Sequence, residues 1–353
     1  MPAKRNAKPI NLALQGGGAH GAFTWGVLDR ILEDGRLDIC GLSGTSAGAM
    51  NAAVFAYGKM IGGPDGARDA LTKFWYDISE AGRLYSPVQQ MPWEVWMRGF
   101  NMDQSPAFAL FEAMSRTVSP YQFNPFDFNP LRDVVDANID FDALATCPDT
   151  KLFIGATCVN TGKVRVFDTE EVSLDVLMAS ACLPFLFKAV EIDGSHYWDG
   201  GYSGNPVLFP FFYHTDCDDI LIIHVNPIVR EEIPTSATDI MNRVNEISFN
   251  GALIKELRAI AFVRKLLDEG WLKDEYADRL RKVLVHSVRA DDVMIDLSVA
   301  SKFNVNWDFL SHLRDRGRTE ASKWLEKNVT HVGERSTVDV REEFLDIGSP
   351  HIG

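Results

Sequence analysis

Ser46 is the residue in this sequence with the clearest potential for chemistry. It lies in a Gly-x-Ser-x-Gly pentapeptide at residues 44–48, after an apolar run at 39–42 and before a helix-compatible stretch from Ala47. A serine at a sharp strand-to-helix turn needs small neighbours, because larger side chains would collide with the strand and the helix. Such a turn exposes the hydroxyl near the positive end of the helix. The pattern therefore predicts a nucleophile, although glycine and serine also occupy ordinary tight turns.

A glycine-rich stretch, Gly-Gly-Gly-Ala-His-Gly at residues 16–21, could bind an anion. It lies between a predicted strand at 10–14 and a predicted helix at 22–33, so bare N–H groups would face outward at a helix N-terminus. No Gly-Lys-Ser/Thr follows, which excludes a P-loop. A dinucleotide site remains open, because the glycine spacing fits and Asp34 and Asp38 lie in the expected interval. The third interpretation is an oxyanion hole serving the serine in the next turn.

Asp199 is the candidate base. It begins the run Asp199, Gly200, Gly201, and Asn205 and Pro206 follow shortly after. An aspartate beside glycines can be a plain turn residue. A serine nucleophile needs a base, usually a histidine oriented by a carboxylate. A carboxylate alone can serve if it lies within hydrogen-bond reach and is partly desolvated.

In this order, these pieces resemble the patatin-like phospholipase family. The matching residues are Gly16, Gly17, Gly18 and Gly21, then Gly44, Ser46 and Gly48, then Ser180, Ala181 and Pro184, then Asp199, Gly200 and Gly201, with Asn205 and Pro206 after them. The resemblance implies a three-layer α/β/α sandwich with a mostly parallel central sheet. It also implies hydrolysis of acyl esters in phospholipids, lysophospholipids or related lipids, without a metal or cofactor.

The resemblance assigns a role to each matching residue. Ser46 is the nucleophile and Asp199 the base of a Ser–Asp dyad that needs no histidine. The oxyanion hole is formed by backbone N–H groups of Gly16, Gly17, Gly18 and Ala19, and the supporting positions are Gly21, Gly44, Gly48, Gly200 and Gly201. One position departs from the family pattern: many members carry arginine or lysine in the glycine loop where this chain has His20.

Two other functions remain open at this point. A lipid-binding or regulatory protein could keep the same fold with little catalysis. A histidine-dependent esterase or thioesterase would need a triad in the order Ser, Asp, His, and the histidines that could complete it are His214, His224, His286 and His312. The serine turn follows only the second predicted strand, which is early for that fold.

The elements around these residues predict an α/β protein. The chain opens as strand, helix, strand, helix, an order that gives a right-handed crossover and a parallel sheet. Hairpins are predicted around the turn at 160–162 and around Asp193 and Gly194, with further strands at 219–225 and 283–288. Helices are predicted at 47–58, 66–79, 173–180, 237–268 and 307–327. Within the long helical region, residues 252–267 are amphipathic and basic, typical of a core-packed helix or an interfacial one.

The chain reads as one acyl hydrolase domain at residues 9–330, with a flexible segment at 1–8 and a loosely held tail at 331–353. Residues 236–330 form a C-terminal helical region. Residues 80–130 predict either an aromatic subcore or an apolar lid. The aromatic side chains of that insert are Trp93, Trp96, Phe100, Phe108, Phe111, Tyr121, Phe123, Phe126 and Phe128.

Composition and charge limit the classes of partner that we expect for this protein. The 353 residues carry a formal net charge of −14, which argues against nucleic acid. The five scattered cysteines predict a reducing compartment, and the chain has neither a signal-peptide pattern nor a run of apolar residues long enough to span a membrane. We therefore expect a cytoplasmic protein acting on a lipid or acyl-ester substrate, with transient contact to a membrane surface compatible with the sequence. The sequence does not determine the oligomeric state.

Overall fold

The structure is a computed structural model that describes residues 7–85, 113, 117–148, 150–273, 276 and 279–346. Much of the predicted aromatic insert, including Trp93, Trp96, Phe100, Phe108 and Phe111, lies outside the described residues. Within the same insert, Tyr121, Phe123, Phe126 and Phe128 are described, and all four side chains are exposed.

Eight strands of the described chain form one sheet in the order β5-β6-β3-β2-β1-β7-β8, with β4 paired to β3 outside this path. The strands are β1 Lys8–Leu14, β2 Leu37–Gly44, β3 Lys151–Cys158, β4 Val164–Asp168, β5 Val190–Ile192, β6 Ser195–Asp199, β7 Asp219–Ile223 and β8 Leu284–Val288. Strands β1, β2, β3, β7 and β8 run parallel to their neighbours in that group. The predicted hairpins are confirmed as antiparallel pairs of β3 with β4 and of β5 with β6.

The helices of six or more residues match most of the predicted ones. They are α1 Gly21–Asp34, α2 Ala47–Tyr85, α3 Pro130–Asn138, α4 Leu174–Ser180, α5 Phe209–His214, α6 Ala237–Asp268 and α7 Trp307–Asn328. The two helices predicted at 47–58 and 66–79 are the two halves of α2, which bends where Gly63 has φ 66° and Pro64 follows. None of the helices in the described part of the chain is long and apolar enough to cross a bilayer.

The helices cover both faces of the sheet. Side chains alternate between the two faces along a strand, and in β1 Leu12 and Leu14 join one buried cluster while Ala13 joins another. The first cluster packs under α1, α2 and α7. The second packs under α6 through Leu253, Leu257 and Ile260. Helices on both faces of a mostly parallel sheet confirm the predicted three-layer α/β/α class.

The predicted boundaries need two corrections. Lys8 belongs to β1 rather than to a flexible segment, and its ammonium donates to the carbonyl oxygens of Thr330 and Val332. The predicted loose tail is packed through residue 346, because Val340 and Phe344 are buried in the cluster beneath α6. The sequence suggested a loose tail because its polar residues outnumber these few apolar anchors.

Candidate active site

Ser46 occupies a strained turn between β2 and α2. Its φ is 55°, a left-handed value that costs free energy for a residue with a side chain. The flanking glycines make the turn possible: a Cβ on Gly44 would lie 2.5 Å from the carbonyl oxygen of Gly48, and one on Gly48 would collide with the carbonyl of Leu14. The strand and the helix therefore approach too closely for any other residue at these positions.

Ser180 ties the Ser46 turn to the sheet. The N–H of Ser46 donates to Ser180 Oγ at 3.0 Å, and Ser180 Oγ donates in turn to the carbonyl oxygen of Gly155 at 2.7 Å. Ser180 is the last residue of α4 and Gly155 lies in β3. These two hydrogen bonds hold the strained backbone of Ser46 against the middle of β3.

Strand β3 brings Asp199 to the same place. Strand β2 pairs with β3 up to Gly44 opposite Ile154, and β6 pairs with β3 up to Asp199 opposite Ala156. Strand β4 pairs with residues 153–157 of β3, a stretch that overlaps both the residues paired with β2 and those paired with β6. Strand β4 must therefore lie along one edge of β3, and β2 and β6 along the other. Strands β2 and β6 thus run toward each other along one edge, and their ends are separated by the single residue Gly155.

Asp199 is buried with one unpartnered oxygen. Its side chain is 1% exposed, and Oδ1 accepts a hydrogen bond from the Gly201 N–H at 2.7 Å. Oδ2 is buried and accepts no hydrogen bond of full geometry within the described chain, although the Ser46 hydroxyl lies close enough to lower the Asp199 pKa. Burial raises the pKa of Asp199 to about 6, while the Gly201 N–H, the Ser46 hydroxyl and the charge of Lys302 oppose that increase.

The glycine loop, residues 16–21, packs directly against Ser46. A Cβ on Gly16 would come within 2.7 Å of Ser46 Cβ, so only a glycine allows this approach. The N–H of Gly16 donates to Asn205 Oδ1 at 2.7 Å, and its carbonyl accepts from Asn226 Nδ2 at 2.9 Å. Of the four predicted oxyanion donors, Gly16 is therefore the one whose N–H is already occupied. Gly17, Gly18 and Ala19 continue the loop into α1 through a short 3₁₀ turn.

His20 does not supply a positive charge to this loop. It is buried, and its Nε2 lies 2.7 Å from Ser301 Oγ, whose own proton goes to the carbonyl oxygen of Ser298. The imidazole must therefore donate from Nε2. Burial, with the nearby charge of Lys302 adding to it, lowers the pKa of His20 to about 3. The ring is neutral at physiological pH.

Lys302 and its partner Asn226 are two residues near the site that the sequence did not reveal. Lys302 Nζ donates to Asn226 Oδ1 and to Asn245 Oδ1, both at 2.9 Å, and lies 5.3 Å from the centroid of the Phe249 ring. Burial lowers the pKa of Lys302 to about 8, against the opposing effects of Glu246 and Asp199. No motif surrounds this lysine in the sequence, so only the tertiary fold reveals that it lies beside the glycine loop.

The other candidate residues lie elsewhere. His286 bonds Asp219 at 2.8 Å and Thr337 at 2.9 Å, His224 stacks on Phe344, and His214 packs against Phe153. His312 is exposed on α7. These contacts do not include Ser46. Asp34, which a dinucleotide site would need, forms an ion pair with Arg36 at 2.6 Å.

Comparison with models of known protein families shows the family to which this chain belongs. The sequence model of the patatin-like phospholipase family matches residues 12–212, which include the glycine loop, Ser46, Ser180 and Asp199. The chain belongs to the patatin-like phospholipase family. This patatin-like chain is therefore a member of a family of lipid acyl hydrolases.

Solved structures and curated proteins were also compared with this patatin-like chain. VipD from Legionella pneumophila is 15% identical with a TM-score of 0.38, and the match covers 96% of this chain and 73% of VipD. ExoU of the Pseudomonas aeruginosa type III secretion system, in complex with SpcU, is 16% identical with a TM-score of 0.32. That match covers 91% of this chain and 53% of ExoU, so the chain spans about half the length of ExoU. Comparison with curated proteins finds no match.

Proposed function

We propose that the protein is a serine acyl hydrolase that cleaves ester bonds of phospholipids, lysophospholipids or related lipids through a dyad of Ser46 and Asp199. What supports this proposal is that a strained serine and a buried carboxylate with an unpartnered oxygen lie at the ends of two strands separated by the single residue Gly155 of β3, beside a glycine loop. Membership of the patatin-like phospholipase family supports the reaction class. The chemistry requires no metal or cofactor.

In the first half of the reaction, Ser46 Oγ attacks the carbonyl carbon of the ester. Asp199 accepts the hydroxyl proton, and the electron pair of the carbonyl double bond moves onto oxygen. A base whose pKa lies near the working pH suits this step, and burial raises the pKa of Asp199 to about 6. The N–H groups of Gly17, Gly18 and Ala19 stabilise the oxyanion, each such donor typically contributing about 3 kcal/mol. Gly16 instead positions the loop through Asn205.

In the second half, the tetrahedral intermediate collapses. The leaving alcohol takes the proton from Asp199 and departs, which leaves an acyl ester on Ser46. Asp199 then removes a proton from water, the hydroxide attacks the acyl carbonyl, and the proton returns to Ser46 Oγ as the fatty acid leaves. Asp199 thus alternates between base and acid, and its buried environment keeps both states accessible.

Exposed apolar side chains support a lipid substrate and a peripheral membrane contact. Ile240, Val244 and Ile247 are 45%, 51% and 56% exposed and share one face of α6, because their spacing follows the helical repeat. The same helix carries Asn245 and Phe249, which contact Lys302 beside the glycine loop. An exposed apolar face on the helix whose opposite side contacts Lys302 would let the enzyme work at a lipid surface.

Labelling with a fluorophosphonate probe tests the proposal. We expect the wild-type protein to be labelled and the Ser46→Ala variant to remain unlabelled and to lose ester turnover by about 10³-fold or more. Ser203→Ala is the matched control, because Ser203 Oγ lies near the site but bonds Thr157 Oγ1 at 2.7 Å. A folded wild-type protein that takes up no label would favour the lipid-binding alternative.

The reaction class and the substrate class are tested separately. We expect hydrolysis of phospholipid or lysophospholipid vesicles by the wild-type protein, and retained hydrolysis of soluble p-nitrophenyl esters by an Ile240→Ser, Ile247→Ser double variant with weaker vesicle binding. Equal vesicle binding by the two proteins would remove the proposed membrane contact without affecting the dyad.

A further inference from the structure

The orientation of one peptide bond decides where the first proposed oxyanion donor points. In a trans peptide the carbonyl and the following N–H point in opposite directions. The carbonyl of Gly16 is held by Asn226 Nδ2 at 2.9 Å and more weakly by Asn205 Nδ2 at 3.5 Å. Whatever holds the Gly16 carbonyl therefore also aims the Gly17 N–H.

Asn226 can hold this carbonyl only in one of its two amide orientations. Its Nδ2 donates to the Gly16 carbonyl and also faces Gln15 Oε1 at 3.3 Å. A flipped amide would place its oxygen against the Gly16 carbonyl and lose both hydrogen bonds. The two orientations have almost the same shape, so the partners of the amide must select between them.

Lys302 selects the same orientation of the Asn226 amide as the Gly16 and Gln15 oxygens do, and it is the charged partner among them. A charged ammonium has only donors, so its 2.9 Å contact must be to the Asn226 oxygen, which leaves Nδ2 for the Gly16 carbonyl. Lys302 is itself fixed by Asn245 of α6 and by the Phe249 ring, and its own backbone carbonyl lies against Gly18. Across the part of the chain that the structure describes, no carboxylate forms an ion pair with Lys302, so its charge remains available to this network.

We propose that Lys302 is a positioning residue of the active site, which acts through Asn226 to fix the peptide bond between Gly16 and Gly17 and to aim the Gly17 N–H at the developing oxyanion. This inference rests on the acyl hydrolase function proposed above. The cation comes from a 3₁₀ turn, Ala300–Phe303, that lies outside the region matched by the family model. It provides a positive charge beside the glycine loop, where His20 is neutral.

Steady-state kinetics test this role. We expect Lys302→Met to lower kcat by about 10- to 100-fold with KM changed less than about threefold, because the donor loses its aim rather than the substrate its binding site. Lys302→Arg, which keeps a permanent positive donor, should recover most of the loss. Lys255→Met, a change at an exposed lysine of the same helix that carries Asn245, should leave both constants at wild-type values.

The pH dependence gives a readout that a purely structural role would not change. Burial lowers the pKa of Lys302 to about 8, so wild-type kcat should fall above that pH as the ammonium loses its charge. The groups that face Lys302 are Glu246, Asp199 and His20. Glu246 is paired with Arg230 and Arg243, and the pKa values of Asp199 and His20 are about 6 and about 3. The Lys302→Arg variant should therefore lose the alkaline fall.

Each outcome decides the proposal. If Lys302→Met folds and keeps wild-type kcat, or raises KM with kcat unchanged, Lys302 does not position the donor. If that variant does not fold, Lys302→Gln decides, since a neutral donor of similar reach should still lower kcat by at least about threefold and abolish the alkaline fall. Fluorophosphonate labelling distinguishes failure of the proposed function from failure of this inference. An unlabelled wild-type protein would contradict the acyl hydrolase function. A labelled wild-type protein whose kcat is unchanged by Lys302→Met would contradict only the role of Lys302.

Discussion

Two buried aspartates, Asp199 and Asp219, lie near opposite ends of the same sheet and differ in what their oxygens touch. Asp219 begins β7, and its Oδ1 accepts from His286 Nε2 and from the Gly333 N–H, both at 2.8 Å. Asp199 ends β6, and its Oδ2 accepts nothing from the described chain. A buried polar atom without a partner costs free energy, so one that persists suggests a functional reason. This difference supports the proposed role of Asp199 as the base and a structural role for Asp219.

The environment of Asp219 also shows what His286, one of the four candidate histidines, contacts in the fold. An aspartate beside a histidine and a hydroxyl is present in this protein, but it is the cluster of Asp219, His286 and Thr337. Asp219 begins β7 and His286 lies in the middle of β8, whereas Ser46 follows the carboxyl end of β2. His286 is fully buried. A histidine-dependent mechanism through His286 would therefore lack the proposed serine nucleophile.

The largest expected effect comes from Asp199→Asn. Turnover should fall by about 10³-fold, because the amide cannot accept the Ser46 proton. The free energy of unfolding at pH 7 should rise by about 1–3 kcal/mol, because the folded-state pKa of about 6 exceeds the ordinary 3.8 and the folded protein disfavours the charged form. Ester turnover and urea unfolding measure the two changes. Unchanged turnover in this variant would remove Asp199 from the mechanism.

Asp219→Ala should produce the opposite result. It leaves the His286 ring and the Gly333 N–H without their buried partner, which we expect to lower the free energy of unfolding by about 2–4 kcal/mol. Turnover per folded molecule should stay at the wild-type value. Urea unfolding and active-site titration would check this, and a loss of turnover in the folded fraction would show that the two regions are coupled.

The pH dependence of turnover by the wild-type protein should follow Asp199 and not Asp219. Because the pKa of Asp199 is raised to about 6, kcat/KM should fall about tenfold per unit as pH drops below 6. The contribution of this carboxyl to the free energy of unfolding changes with pH in the opposite direction. That contribution is fully present below about pH 4 and is lost as pH rises through 6. Asp219→Ala should keep the same acid limb. A shift of the acid limb in the Asp219→Ala variant would contradict the assignment of that limb to Asp199.

The smallest expected effect is that of Ser180→Ala. The Ser46 N–H and the Gly155 carbonyl would each lose a partner, so the strained turn would be less firmly held. We expect turnover to fall by about 3- to 10-fold and stability by about 1–2 kcal/mol. Ser203→Ala, in the same loop as Asp199, is the matched comparison for the turnover. A 10³-fold loss in Ser180→Ala would instead indicate that Ser180 itself takes part in the proton transfer.

Most of the fold could be predicted because its elements have local signatures. Apolar runs predicted β1, β2 and β7, and Asn160, Thr161 and Gly162 predicted a hairpin that the structure confirms. The roles of Ser46 and Asp199 remain predictions, since they depend on chemistry. The sequence placed them in turns but could not show that β2 and β6 share one edge of β3. That arrangement depends on pairings between distant segments.

Lys302 and Asn226 could not be predicted, because their importance depends on tertiary contacts alone. Neither lies in a motif, and each is separated in sequence from the glycine loop. His286 is the opposite case, because the sequence suggested a catalytic role that its contacts do not support. Only the contacts identify it as part of a satisfied buried cluster.

The central position of β1 has a consequence for any attempt to isolate a minimal enzyme. The family match ends at residue 212, yet the second neighbour of β1 is β7, which begins at Asp219. A chain shortened to residue 212 would expose the backbone N–H and C=O groups of β1 along the edge that β7 covers, just before the glycine loop. Exposed edges of this kind recruit further strands. We therefore expect such a fragment to self-associate, because the residues after 212 supply the strand that covers this edge.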